Sequence, residues 1–285
     1  MKVLIIIIII LAALVTFVVL RSIYELKRLS VSRYDICSPK ISIGDELRAV
    51  FISDLHGRTY GDKNVQLVNL IKAEKPGVIL IGGDLMVARN SGKDLQAREF
   101  IEEISGIAPV FYAMGNHEKG MAELKMFRTR YRNYVNFLRR CGIRYLRNET
   151  EDINGSIAVT GLDIDYEYYK KIHPKKMEAG EIEKLAGKAS QEKFNILLAH
   201  SPKYFDRYAA RGDDMILSGH YHGGAIRLPL VGGVISPQFR PFPKYSKGRF
   251  TKGETDMIVT SGAGSHSINI RVFNKPEIVV LDIHR

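Results

Sequence analysis

The chain has 285 residues, room for one large domain or two small ones, and its 45% hydrophobic content excludes a disordered chain. Two distant cysteines, Cys37 and Cys141, form neither a disulfide framework nor a Cys-x-x-Cys pair, and neither reads as a metal ligand. A formal net charge of +11 favours anionic partners: nucleic acid, phosphorylated substrates or an acidic lipid surface.

Residues 3–20 contain no charge and no proline, with six consecutive isoleucines at 5–10. At ~1.5 Å per residue they span roughly 27 Å as a helix, enough for a hydrocarbon core. Within lipid the backbone must pair with itself, so helix prevails over the strand preference of isoleucine. No small-x-small cleavage site follows Leu20, so 1–21 reads as an uncleaved transmembrane anchor; a cleaved signal peptide and a buried core helix are the rival readings. Lys2 precedes the span and Arg21, Lys27, Arg28 and Arg33 follow it, which leans a single-pass protein of the cell membrane towards a cytoplasmic globular domain. Tyr24 is expected near the headgroups, with the basic residues after it suited to anionic lipid.

Residues 22–46, with Pro39 and Gly44, read as a juxtamembrane linker containing one short strand at 40–43. The globular domain is expected over 47–285. A strand at 48–53 precedes a helix at 62–74 with Val65, Val68 and Ile71 on one face. A strand at 78–81, a helix at 93–104 carrying Leu95, Phe100, Ile101 and Ile104, and a strand at 109–113 follow. This alternation predicts βαβ units around a mostly parallel sheet. One long amphipathic helix is expected over 120–140, with Leu124, Phe127, Tyr131, Tyr134 or Val135, and Leu138 inward and Gly142 as its C-cap. Short β-rich runs come next, at 143–146, 156–160, 194–198, 215–217, 257–260 and 277–282. The charged, tyrosine-containing stretch 166–189 is expected to form one or two helices over a site mouth.

Five apolar strands end in polar residues: Asp54 and His56, Asp84, Asn116 with His117, His200, and His220 with His222. Open α/β sheets place ligands at such carboxyl ends. Alternate positions of an extended backbone share a face, so Asp54 and His56 could hold one cation between them. Carboxylate, imidazole and amide ligands without thiolate suit Mn²⁺, Fe or Zn²⁺ and argue against a structural zinc site. Seven ligands, Asp54, His56, Asp84, Asn116, His200, His220 and His222, with one bridging carboxylate would hold two cations ~3.5–4 Å apart, able to share a water and lower its pKa towards ~7.

In order, Asp-Leu-His-Gly, Gly-Gly-Asp, Gly-Asn-His-Glu, Leu-Ala-His-Ser-Pro and Gly-His-Tyr-His-Gly-Gly resemble the calcineurin-like metallophosphoesterases, from about residue 48 to the end. Gly223-Gly-Ala-Ile-Arg-Leu-Pro, Thr260-Ser-Gly-Ala-Gly-Ser, and Arg271 before Asn274-Lys-Pro-Glu-Ile resemble the closing segment of the membrane-associated bacterial YkuE/YaeI type. The resemblance implies a four-layer αββα sandwich of two mixed sheets over 47–285, behind one transmembrane helix. It also implies two divalent metal ions, one at Asp54, His56 and His222 and the other at Asn116, His200 and His220, with Asp84 bridging. His117 would face the leaving oxygen as general acid or charge stabiliser, and Asn116 would touch the phosphate as well. Many members carry Gly-Asp-x-x-Asp, whose second acid orients that histidine; here the position is Val87, which leaves the orientation of His117 open. His173, His266 and His284 read as structural, and Glu118 as a helix cap rather than a ligand.

These features imply a membrane-anchored metal-dependent phosphoesterase acting on a phosphodiester or pyrophosphate. The anchor favours a lipid-linked or nucleotide-linked substrate, as for the UDP-2,3-diacylglucosamine pyrophosphate hydrolases of the same superfamily. A nuclease is the second reading, prompted by Lys125, Arg128, Arg130, Arg132, Arg139, Arg140, Arg144 and Arg147 with no acid among them; no aromatic-interleaved groove supports it, and nucleic acid is the less favoured partner. A scaffolding module that kept the fold and lost its chemistry is the third. The sequence identifies no protein partner.

Overall fold

The computed structural model describes residues 1–228, 230–236, 241–265 and 269–285. Pro229 and His266 therefore lie outside the described residues. Two six-stranded mixed sheets pack face to face, with helices covering both outer faces. The strands are β1 (Ser30–Cys37), β2 (Leu47–Ile52), β3 (Val78–Ile81), β4 (Val110–Ala113), β5 (Arg144–Leu146), β6 (Glu149–Asp152) and β7 (Ile157–Gly161). They continue with β8 (Phe194–Leu198), β9 (Met215–Ser218), β10 (Ile226–Leu228), β11 (Gly232–Ile235), β12 (Gly248–Lys252), β13 (Thr255–Val259) and β14 (Glu277–His284). The helices are α1 (Lys2–Leu26), α2 (Val65–Ala73), α3 (Asp94–Ser105), α4 (Asn116–Glu123), α5 (Arg128–Arg140), α6 (Glu181–Ala186) and α7 (Phe205–Ala209).

The first sheet runs β1-β14-β2-β3-β4-β5 and the second β12-β13-β9-β8-β7-β6, while β10 and β11 form a separate hairpin. Within the first, β2 to β5 are parallel and β14 runs against β2; within the second, β13, β9, β8 and β7 are parallel. Period-two alternation divides the cores. Ala49, Phe51, Leu80, Phe111, Ile196, Leu198 and Leu217 fill the space between the sheets. Val50, Ile52, Ile79, Ile81 and Tyr112 face α2, α3 and α5 on one side. Leu197, Ile216 and Val259 face α6 and α7 on the other. The parallel strands are buried on both faces, which is why they read as continuous apolar runs.

Three expectations are revised. Residues 40–43 are a turn; the added strand is β1, eight residues paired in parallel with β14 inside the stretch expected as linker. α1 continues past residue 21, and its last turn buries Ser22, Glu25 and Leu26 against the domain. The helix expected over 120–140 is two: α4 ends at Glu123, Leu124 is extended (ψ 118°), a 3₁₀ turn spans Lys125–Phe127, and α5 follows. No proline or glycine marks this break. α4 serves the loop ends of the sheet, whereas α5 packs on its face through Tyr134, Phe137 and Leu138, and the two demands differ in direction. The 166–189 stretch holds one 3₁₀ turn, Tyr166–Tyr169, and α6.

Phe51 is fully buried between the sheets, with its ring against Gly82. Phe51→Ala is expected to cost about 3–5 kcal/mol in denaturant unfolding of the detergent-solubilised chain; a loss below about 1 kcal/mol would contradict this packing.

Candidate metal centre

The carboxyl ends of β2, β3, β4, β8 and β9 converge, and the seven expected ligand residues meet there. Three groups of side chains bring ligand atoms within 4.8 Å of one another: Asp54, His56 and His222; His56, Asp84 and His117; and Asp84, His200 and His220. His56 Nε2 lies 3.1 Å from His222 Nε2, which is 3.4 Å from Asp54 Oδ1. His200 Nε2 lies 3.2 Å from both Asp84 Oδ2 and Asn116 Oδ1. Asp54, His56, Asp84, His200, His220 and His222 are buried, and His117 is half-buried.

The way they converge differs from the sequence expectation. Asp54 and His56 do not share the face of an extended strand: β2 ends at Ile52, and both residues are left-handed, with φ of 57° and 51°. Asp84 (56°), His220 (68°) and His222 (50°) are left-handed too. Five of the seven positions thus hold a conformation that costs on the order of 1–3 kcal/mol each for residues with a Cβ, although Asp and His tolerate it better than most. A strand would carry the chain past the site, whereas a left-handed residue turns it back.

Backbone hydrogen bonds hold the turns in place. Asp54 N–H donates to Gly83 O (3.0 Å), His56 N–H to Asp84 O (3.0 Å) and Gly219 N–H to His200 O (3.0 Å). Gly115 and Gly219 have no room for a Cβ: it would strike the carboxylate of Asp84 in one case and of Asp54 in the other.

Protonation is set by neighbours. His200 Nδ1–H donates to Gly82 O (2.7 Å), and His222 Nδ1 faces Gly264 O (3.3 Å), so each presents Nε2 to the site. Burial opposes charge on His200, but Asp84 and then Asp54 outweigh it and raise its pKa to about 10. Burial likewise opposes charge on Asp84, yet His200 beside it holds that carboxyl well below its usual range. Burial, then the His200 charge, keeps His220 well below the ordinary imidazole value; burial lowers His222 also. The result is a set of acceptors around a proton. The Asn116 amide lies among them, one terminal atom 2.7 Å from His220 Nδ1 and 3.2 Å from Asp84 Oδ2: with its nitrogen there it donates to both, and with its oxygen there it can ligate a cation. Oxygen and nitrogen lone pairs aimed at one another this closely fit a shared cation, and carboxylate, imidazole and amide are the donors such a cation takes.

His117 is oriented without an acid. Its Nδ1 accepts from the Ala88 N–H (3.0 Å), so the neutral ring carries its proton on Nε2, 4.0 Å from Asp84 Oδ2. Arg130 fixes this loop through Val87 O (2.9 Å), Ala88 O (2.5 Å) and Asp94. Two members of the basic stretch are therefore committed internally, Arg130 here and Arg147 to Asp163 (2.8 Å).

Other contributors escaped the sequence reading. Glu118 does more than cap α4: its carboxylate accepts from the N–H of Asp84 (2.8 Å), Met86 (3.0 Å) and Gly115 (3.1 Å) and from the Tyr112 hydroxyl (2.8 Å). His117 N–H, at the start of α4, donates to Asp84 Oδ1 (2.7 Å). Arg271, fully buried, donates to Ser261 O (2.6 Å), Gly262 O (3.2 Å) and Gly264 O (2.6 Å), clamping the loop whose Ala263 and Gly264 N–H groups bind Ser53 O and Asp54 O. Asn274 donates to His222 O (2.7 Å) and Gly224 O (2.5 Å). Both were visible as a closing motif without a role. His173 is exposed, and His284 pairs with Asp35 at the far end of β14 (3.0 Å).

A cavity of about 430 Å³ opens over His56, Asp84, Asn116, His117, His220 and His222. Its walls are Tyr166 and Tyr169, and Arg89, Lys170 and Lys171 line its rim.

The sequence profile of the calcineurin-like phosphoesterases matches residues 47–224. A metallophosphoesterase of Aquifex aeolicus is 28% identical over 90% of this chain and 92% of its own. The phosphodiesterase YaeI of Escherichia coli K12 is 26% identical over 83% and 82%. The metallophosphoesterase YkuE of Bacillus subtilis is 37% identical over 33% of this chain and 32% of its own.

Two outcomes follow from the bracing and the charge balance. Glu118→Gln turns an amide N–H towards backbone donors, and Mn²⁺ affinity by calorimetry should fall about 10–100-fold, with the circular dichroism unchanged. His200 binds its proton below about pH 10 in the ion-free protein, so a metal ion must displace it. Affinity should therefore rise with pH across the neutral range, by about tenfold per unit for one displaced proton; a flat profile would contradict the protonated cage.

Proposed function

Because the chain belongs to the calcineurin-like phosphoesterase family and is a metal-dependent phosphoric ester hydrolase, we propose that it is membrane-anchored and cleaves a phosphodiester or pyrophosphate bond with two divalent ions. The observation that carries this reading is the convergence of carboxylate and imidazole ligand atoms around Asp84, with histidine clusters on either side of it. Asp54, His56 and His222 would hold one ion, Asn116, His200 and His220 the other, and Asp84 both. Bound there, such ions activate water and neutralise charge on phosphoryl oxygens.

The chain's own groups do the rest. Asn116 and the backbone of α4 position the phosphate against the ion sites. His117 presents Nε2–H as a neutral donor towards the leaving oxygen. Arg89, Lys170 and Lys171 draw the anion in, and Tyr166 and Tyr169 shape the pocket. The membrane part of the reading is supported by α1, long and apolar enough to cross a bilayer and unburied along that span. A lipid-linked substrate suits an anchor whose last turn touches the ligand loop, where Arg58 Nη2 donates to Leu26 O (2.6 Å).

The full chain with Mn²⁺ should hydrolyse bis(p-nitrophenyl) phosphate, and Asp84→Asn or His220→Ala should abolish turnover. Metal-loaded protein inert towards mono-, di- and pyrophosphate esters would favour a scaffold. His117→Ala should lower turnover of a diester with a poor leaving group by about 10²–10⁴-fold. His117→Gln, which keeps an N–H near Nε2, should retain more; equal losses would contradict a neutral donor.

A further inference from the structure

The last turns of α1 lie against one segment of the domain. The Phe17 and Phe273 rings are 6.4 Å apart, and the Arg21 guanidinium stands 4.6 Å from the Phe273 ring. Ser22 Oγ accepts from the Arg271 N–H (3.0 Å). Arg21 and Arg28 both stack on Tyr24, the pairing of base and aromatic found where a span leaves the hydrocarbon. Phe17 belongs to the uncharged run 3–20, so Phe273 sits level with its end. Phe273 is 43% exposed and Ile270 38%. Val272 bridges to Ile226, which places the β10–β11 hairpin alongside, with Leu228, Leu230 and Val231 exposed at its tip. An apolar fringe of this kind, continuous with an apolar helix, fits lipid.

Directly behind it lies a pocket of about 400 Å³ whose charged lining among the described residues is Arg58, Arg89 and Lys93, with no carboxylate among them. Leu26 lies six residues beyond Leu20, or ~9 Å along the helix, just past the outer edge of the polar zone of ~5–8 Å flanking the hydrocarbon. Arg58 is fixed at that height by Leu26 O; its Nε is buried and has no hydrogen-bond partner among the described residues. Arg58 also follows Gly57, the residue after the candidate ligand His56, and Gly57 leaves no room for a Cβ beside the Lys93 stem. Arg89 lines both this pocket and the cavity over the metal centre. One loop turn thus separates Arg58, beside Leu26 at the helix end, and its pocket neighbours Arg89 and Lys93 from the candidate catalytic site.

We propose that this pocket binds the phosphate headgroup of an anionic lipid in the leaflet that α1 enters, with the acyl chains remaining in the bilayer beside Ile270 and Phe273. The site rests on the membrane-anchored reading above. It makes the enzyme's phosphoester substrate, or an activating lipid beside it, a resident of the same membrane, and Arg89 is the group shared between headgroup and metal centre.

Two measurements on the full chain in nanodiscs test it separately. The sequence contains no tryptophan, so Phe273→Trp supplies a single reporter; bromine-labelled lipids should quench it. An unquenched reporter would remove the membrane seating and the anchored reading together. Spin-labelled phosphatidylglycerol should show an immobilised component absent for spin-labelled phosphatidylcholine, with apparent affinity about fivefold lower in Lys93→Gln and lower still in Lys93→Glu. That component should withstand millimolar inorganic phosphate. Quenching with no preference for phosphatidylglycerol, or with no effect of either Lys93 variant, would overturn the headgroup site while leaving the anchor intact. Displacement by inorganic phosphate would assign the pocket to a free anion instead.

Discussion

Everything at the centre of this protein turns on mutual repulsion among acceptors. Two carboxylates and the imidazoles of His56, His200, His220 and His222 are pressed into a buried space, where the proton on His200 offsets part of the negative charge. Such an arrangement is unfavourable by itself. The surrounding structure holds it together: five left-handed turns, a buried glutamate bracing the Asp84 loop, and a buried arginine clamping the loop beneath Asp54. Strain of this order persists only where packing over-determines it, and the two-sheet core supplies that packing.

The same logic explains His117. A neighbouring acid would make this ring a charged donor with a raised proton affinity. The Ala88 N–H instead fixes the tautomer while adding no charge to a pocket that already concentrates it, and Arg130 reaches from α5 to keep the loop in place. Arginines that read in sequence only as an acid-free basic stretch are partly internal struts.

Much of this was legible beforehand. The ligand residues announced themselves because each followed an apolar run, with a glycine beside His56, Asp84, Asn116, His220 and His222, and the parallel strands because burial on both faces makes them uninterrupted. What stayed hidden was set by tertiary context. β1 mixes exposed and half-buried positions at a sheet edge, so its sequence has little β signature. The interruption at Leu124 follows from two packing directions that one helical period can imitate. The left-handed backbone at Asp54 and His56 was invisible because Asp-x-His is equally compatible with an extended strand, and the roles of Arg271 and Asn274 depend on loops remote in sequence.

The contact from Leu26 O at the end of α1 to Arg58, two residues from His56, ties that helix to the ligand loop. The account stands or falls on the cation pair. Anomalous diffraction from crystals grown with Mn²⁺ is the most direct measurement. The account predicts two peaks about 3.5–4 Å apart, one beside Asp54, His56 and His222, the other beside Asn116, His200 and His220, with Asp84 between. Absence of ions from this cluster, or a single ion that leaves one histidine group without metal at saturating concentration, would contradict it.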